Sequence, residues 1–78
     1  MRISLKQLTS LAVETQGGVA LGRVFDLVLE LDGQLVVQYL VRPSRFSSTV
    51  YTVSRDHVIN VTEPKMIVED SVSRIEAD

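Results

Sequence analysis

Cysteine is absent from the 78 residues, so the chain has neither a disulfide framework nor a thiolate metal site. Long apolar runs are absent too. None approaches the roughly 20 residues needed to span a bilayer, and the N-terminus lacks the apolar centre of a signal peptide. The expectation is a cytoplasmic chain without membrane insertion. A dense positive field is also missing: the net charge is −2, spread as +2 over residues 1–10, −3 over 11–32, +2 over 33–57 and −3 over 58–78. The only basic concentration is Arg42, Arg45 and Arg55 with Phe46 beside it. Nucleic-acid binders usually carry a stronger patch.

Groups for chemistry are equally sparse. His57 is the sole histidine, and beside Asp56 in a turn it reads as a solvated or capping side chain rather than a general base. No spacing offers a nucleophile with a base and an orienting third group. Asp26, Glu30 and Asp32 fall along a strand into a turn and read as a solvated face rather than a hard-cation site. Gly17-Gly18 and Gly22 lack the strand-to-helix context of a phosphate-holding loop. The sequence therefore predicts no enzyme, no cofactor, no metal and no small-molecule substrate.

At this length there is room for one domain, with a stability of roughly 4 to 12 kcal/mol. Small domains without covalent or metal staples often gain stability by association, which favours an oligomer.

What is present is a hairpin pattern. Val19 to Arg42 consists of two apolar-alternating runs joined at Asp32-Gly33. Phe25, Leu27 and Leu29 share one face of the first run; Leu35, Val37, Tyr39 and Val41 share one face of the second. A two-residue loop at Asp32-Gly33 would pair Glu30 with Leu35 and mix carboxylates into the apolar face. A three-residue loop, Leu31-Asp32-Gly33, puts Gly33 at the left-handed position of a type I turn with a G1 bulge. It pairs Leu29 with Leu35, Leu27 with Val37 and Phe25 with Tyr39, and is the preferred register. The opposite face carries Val24, Val28, Val36 and Leu40, with Val28 opposing Val36 and Val24 opposing Leu40. These four read either as strand formers on a covered or solvated face or as a self-association and partner surface.

Around the hairpin, Ser4 is a predicted N-cap with Gln7 closing a capping box and Ile3 and Leu8 at the staple positions, opening a short turn of helix from Leu5 to about Thr9. Leu11 to Thr15 reads as a strand and Gln16-Gly17-Gly18 as a turn. Gly22 marks a bulge or bend in the next strand, with an incidental glycine as the other reading. In the polar loop Pro43 to Thr49, Phe46 either folds back over the core or is a contact residue. Val50 to Val53, Val58 to Thr62 and Met66 to Glu69 read as short strands, Ser54 to His57 as a turn or 3₁₀ turn, and Val72 and Ile75 as tail residues that dock on a neighbouring strand. The expected fold is all-β: a small closed barrel of five to six strands with a helical cap over 1–10, the barrel over 11–70 and a tail over 71–78.

From Gly17 to Leu29 the sequence resembles the PRC-barrel family, named for the photosynthetic reaction centre H subunit and found also as the C-terminal domain of the ribosome-maturation factor RimM. Ser4 to Leu8 stands for the family's lead segment. Gly18 and then Leu21-Gly22-Arg23-Val24-Phe25-Asp26-Leu27 stand for its core motif, and Tyr51 to Val58 for its later segment, though Tyr51-Thr52-Val53-Ser54 lacks the usual proline. The resemblance implies a non-catalytic adaptor fold that binds proteins. Two functions follow as expectations. One is a protein-interaction module, homodimeric and docking in a larger assembly through Val24, Val28, Val36 and Leu40. The alternative is an RNA-associated barrel, with a role in RNA processing or ribosome maturation, using Arg42, Arg45, Phe46 and Arg55.

Overall fold

The computed structural model describes residues 2–62 and 64–76, without the side chains of residues 73, 75 and 76. Helix α1 (Leu5–Leu8) leads into strands β1 (Ala12–Thr15), β2 (Ala20–Glu30), β3 (Leu35–Arg42) and β4 (Thr49–Ser54). A 3₁₀ turn (Arg55–His57) then precedes β5 (Val58–Thr62), β6 (Lys65–Val68) and β7 (Ser73–Glu76). The fold is mostly β with one short helix. The capping box forms in full: the Ser4 hydroxyl accepts from the Gln7 amide at 3.1 Å, and the Gln7 side-chain oxygen accepts from the Ser4 amide at 2.9 Å. Ile3 and Leu8 are half-buried and pack on the core, so the four-residue helix is held by its cap and staple rather than by propensity.

All seven strands form one sheet in the order β5-β6-β1-β2-β3-β4-β7. The β1–β6 pair is parallel and the other described pairs are antiparallel. The sheet curls about a single core of Leu11, Val13, Leu21, Val24, Val41, Val53, Met66 and Val68, each at most 4% exposed. Its hydrogen-bonded ladder does not close. The segment expected to be a tail is the reason: β7 pairs with β4 from Thr49↔Glu76 to Thr52↔Ser73. With β3 on its other side, β4 has no edge left for β5. Residues 77 and 78 of the expected tail, Glu63 of the preceding turn and the Ile75 side chain lie outside the described residues; Val72 packs against the core.

The inner end of the hairpin is set by packing. Val24 lies opposite Val41, and these side chains are 1% and 0% exposed. Gly22, at φ +127°, sits where a Cβ would run into the Arg42 carbonyl and come within 2.7 Å of the Pro43 Cα, so close approach of β2 to the end of β3 requires glycine there. Neighbouring Arg23 turns outward and donates to the Ser10 carbonyl at 2.6 Å, tying β2 to the C-terminal end of the helical cap.

The hairpin register differs from the preferred one. The pairs are Arg23↔Arg42, Val24↔Val41, Asp26↔Leu40, Leu27↔Tyr39, Val28↔Gln38, Leu29↔Val36 and Glu30↔Leu35. Two irregularities produce this series: Phe25 is extra on β2 and Val37 is extra on β3. The tip is a turn from Leu31 to Gln34, closed by the Gln34 amide donating to the Leu31 carbonyl at 3.2 Å, and Gln34 rather than Gly33 takes the left-handed conformation, at φ +55°. Burial of Val24 against Val41 outweighs the gain from placing the glycine at that position, because a core pair is worth a few kcal/mol and the backbone preference about one.

Candidate partner-binding surface

Strand lengths decide what the hairpin can bury. On one side, β1 pairs with β2 only from Ala20 to Arg23; on the other, β4 pairs with β3 only as far as Gln38↔Ser54. From Leu29 to Val37 the two strands therefore pair with each other alone, and the ribbon projects past the curled sheet. Both faces of that ribbon meet solvent, whatever the alternation of the sequence. Val28 is 40% exposed, Leu29 51%, Leu31 81%, Leu35 45% and Val37 39%. Among the described residues nine large hydrophobic residues are exposed, and five of them lie on the β2–β3 hairpin, with Leu29 on one face and Leu35 and Val37 on the other; such a concentration is what marks an interaction surface on a small domain.

Along one face of the ribbon lies a depression of about 210 Å³, bordered by Glu30, Leu35, Val37, Ser54, Arg55 and Asp56. The 3₁₀ turn forms its far wall, started by the Ser54 hydroxyl, which accepts from the Asp56 amide at 3.3 Å. Arg55 approaches Asp56 at 4.0 Å, with both side chains at least half exposed, an ion pair of little energetic weight. The surface is thus an aliphatic projection beside a hollow of mixed lining, with Leu35 and Val37 on one wall and Glu30, Ser54, Arg55 and Asp56 around the rest.

The four residues expected to form the interface do not share this surface. Val24 belongs to the core, since the Phe25 bulge reverses the side-chain parity of β2. Val28 faces Gln38 rather than Val36, Val36 faces Leu29, and Leu40 faces Asp26. Val36 and Leu40 are half-buried, and only Val28 is substantially exposed. Conversely Leu29, Leu35 and Val37, assigned to the inner face by alternation, are surface residues. The sequence does carry a signal for them: a hairpin arm of eight residues beside a strand predicted at only four, Val50 to Val53, leaves its outer half without a neighbour.

The basic group is dispersed. Arg42 stacks over the Phe25 ring at 4.1 Å from its centroid, so the expected core phenylalanine is half-buried beneath a guanidinium on the outer side. Arg45 lies 5.3 Å from the ring of Phe46. Phe46 is 88% exposed and does not fold over the core; serine hydroxyls of the loop accept from nearby backbone amides and set its path along the surface. Arg55 sits at the opposite end of the β3–β4 pair, beyond Gln38↔Ser54.

His57 stands 4.0 Å from Glu69, both partly exposed. Among the described residues no group of three His, Cys, Asp or Glu side chains is placed to hold a metal ion, and no helix is long and apolar enough to cross a membrane. No protein-family model matches this sequence, and no curated protein matches it.

Proposed function

We propose that this chain is a non-catalytic protein-interaction module, a small scaffold of PRC-barrel type that docks in a larger assembly through the projecting tip of its β2–β3 hairpin. The observation that carries the proposal is the exposure of Val28, Leu29, Leu31, Leu35 and Val37 on one two-stranded ribbon. Aliphatic side chains held out on a rigid hairpin lose little conformational entropy when covered, which suits them to a docking surface. The scaffold assignment is supported by the likeness of Gly18 and Leu21 to Leu27 to the family's core motif and by the curl of the sheet about one core. Partner recognition at the tip replaces the Val24, Val28, Val36 and Leu40 surface expected from alternation. An RNA-binding role has less support, because Arg42 is engaged with Phe25 and Arg55 lies at the other end of the strand pair from Arg45.

The test is site-specific photocrosslinking in the native cells. A benzophenone side chain placed at Leu31, which is 81% exposed, is expected to give a protein adduct of defined mass. The same probe at Leu5, which is 64% exposed on the helical cap, is expected to give none. Failure to form any protein adduct at residue 31 would overturn the proposal.

A further inference from the structure

Resting on that reading, we infer that the occupant of the surface is a second copy of this chain: Leu31 of each hairpin tip inserts into the depression beside Leu35, Val37 and Arg55 of the other, about a two-fold axis. Three observations converge on this arrangement.

The first is self-complementarity. A two-fold interface brings the same patch from both subunits together, so it needs a projection and a matching recess on one surface. Both are present here within a few residues of each other. Leu31 is the most exposed aliphatic side chain of the described residues, and the depression of about 210 Å³ begins at Glu30 and Leu35 on either side of the same turn. That volume has room for a branched four-carbon side chain, and its walls include the aliphatic side chains of Leu35 and Val37.

The second is area. The exposures of Leu31 at the tip and of Val28, Leu35 and Val37 on the face that carries the depression amount to about 300 Å² of apolar surface, at the lower end of the range of the largest patch on a typical monomer. A standard interface takes about 800 Å² from each partner. The apolar centre is thus somewhat over a third of what one side must supply, with Glu30, Asp32, Gln38, Ser54 and Asp56 left to form a polar rim. That is the composition of a non-obligate interface, so the association is expected to be reversible.

The third is charge. The tip carries Glu30 and Asp32 and no cation from residue 24 to residue 41; the hollow holds one guanidinium, Arg55, between the carboxylates of Glu30 and Asp56, and Arg55 approaches Asp56 only to 4.0 Å. Insertion of the tip sets Asp32 of one copy against Arg55 of the other. A larger unrelated partner would not need the recess and the projection to fit each other; a second copy does.

Sedimentation equilibrium of the purified chain across the micromolar to millimolar range tests this. The expected result is a reversible monomer–dimer equilibrium within that range. Leu31→Asp is expected to weaken it by more than about 30-fold, because the contact with Leu35 and Val37 is lost and a further carboxylate enters a hollow that already holds Glu30 and Asp56; the β-rich far-ultraviolet spectrum should be unchanged, since residue 31 is 81% exposed. Asp32→Lys and Arg55→Glu should each weaken dimerisation several-fold, and combining both in one chain should restore it. The benzophenone at residue 31, irradiated in the purified dimer, should crosslink to the peptide holding residues 35–37 or 54–55 of the second copy. A chain that stays monomeric throughout overturns the inference, as does a dimer unaffected by Leu31→Asp or crosslinked elsewhere. A monomer that still forms a hetero-adduct at residue 31 in cells would sink the self-pairing and leave the interaction module standing; no adduct of any kind would sink both.

Discussion

Replacing Gly22 by alanine should come close to unfolding the protein. Two costs add at this position. An L-residue at φ +127° is held in a region that only glycine occupies freely, which costs about 1–3 kcal/mol. The new methyl also meets the Arg42 carbonyl, its carbonyl carbon and the Pro43 Cα, all of them backbone atoms that no rotamer change can move. Relief therefore requires β2 and β3 to separate where Arg23 faces Arg42 and Val24 faces Val41. Losing one or two ladder hydrogen bonds costs about 1 kcal/mol each, and loosening the Val24–Val41 contact costs about 1 kcal/mol more. The total, about 3–6 kcal/mol, is comparable to the whole stability of a domain this size. Urea unfolding followed by circular dichroism measures it, with Gly18→Ala as the control. Gly18 has φ +92° and open space around its Cβ position, so that variant carries the conformational cost alone, about 1 kcal/mol. A Gly22→Ala variant no less stable than Gly18→Ala would show that the close approach of the two strands is not required.

Two smaller perturbations check other parts of the fold. Gln34→Gly removes the left-handed strain at φ +55° and should stabilise the chain by up to about 1 kcal/mol, a rise of roughly 4–8 °C in the thermal midpoint; a fall would mean that the turn does not hold that conformation in solution. Arg42→Ala and Phe25→Leu, alone and combined, should give a coupling of about 0.5–1 kcal/mol in a double-mutant cycle, the worth of a partly exposed cation–π contact; strictly additive effects would dissolve the stacked pair.

The strands themselves are legible from pattern. Alternation and turn chemistry locate the helical cap, the 3₁₀ turn and the first six strands to within a residue or two, and the Ser4–Gln7 capping box is readable from spacing alone. The seventh strand is not, because Ser73 to Glu76 has one apolar residue and its pairing to β4 is a matter of available edge rather than pattern. Faces and register are the harder part. Phe25 and Val37 are each an extra residue on opposite strands of the hairpin, and nothing in period-two alternation announces a bulge. Each one reverses the parity beyond it. Val24 therefore moves into the core and Phe25 out of it, and the pairing read from the turn fails although the strand locations are nearly right: at the tip Glu30 pairs with Leu35, the register set aside for mixing a carboxylate with an apolar residue. Glycine's freedom points to Gly33 for the left-handed position, but the core pair fixes the inner end of the hairpin first, and Gln34 takes the position that remains.

The same bulges separate stability from the proposed surface. Buried side chains of β2 and β3 end at Val24 and Val41, while the exposed aliphatic group begins at Val28 and, from Leu29 on, lies on the ribbon that no third strand covers. Substitutions at Leu29, Leu31 or Leu35 therefore act on what the chain can bind with little effect on whether it folds, whereas substitutions at Val24 or Val41 do the reverse. An uncovered apolar ribbon also invites edge-to-edge aggregation. Glu30, Asp32, Gln34 and Gln38 interrupt it at intervals, and the bulge at Val37 twists the free edge of β3 away from a flat template. Those interruptions work against open-ended strand pairing. Leu29, Leu31 and Leu35 can then stay exposed, in a domain too small to bury every apolar residue that its strands require.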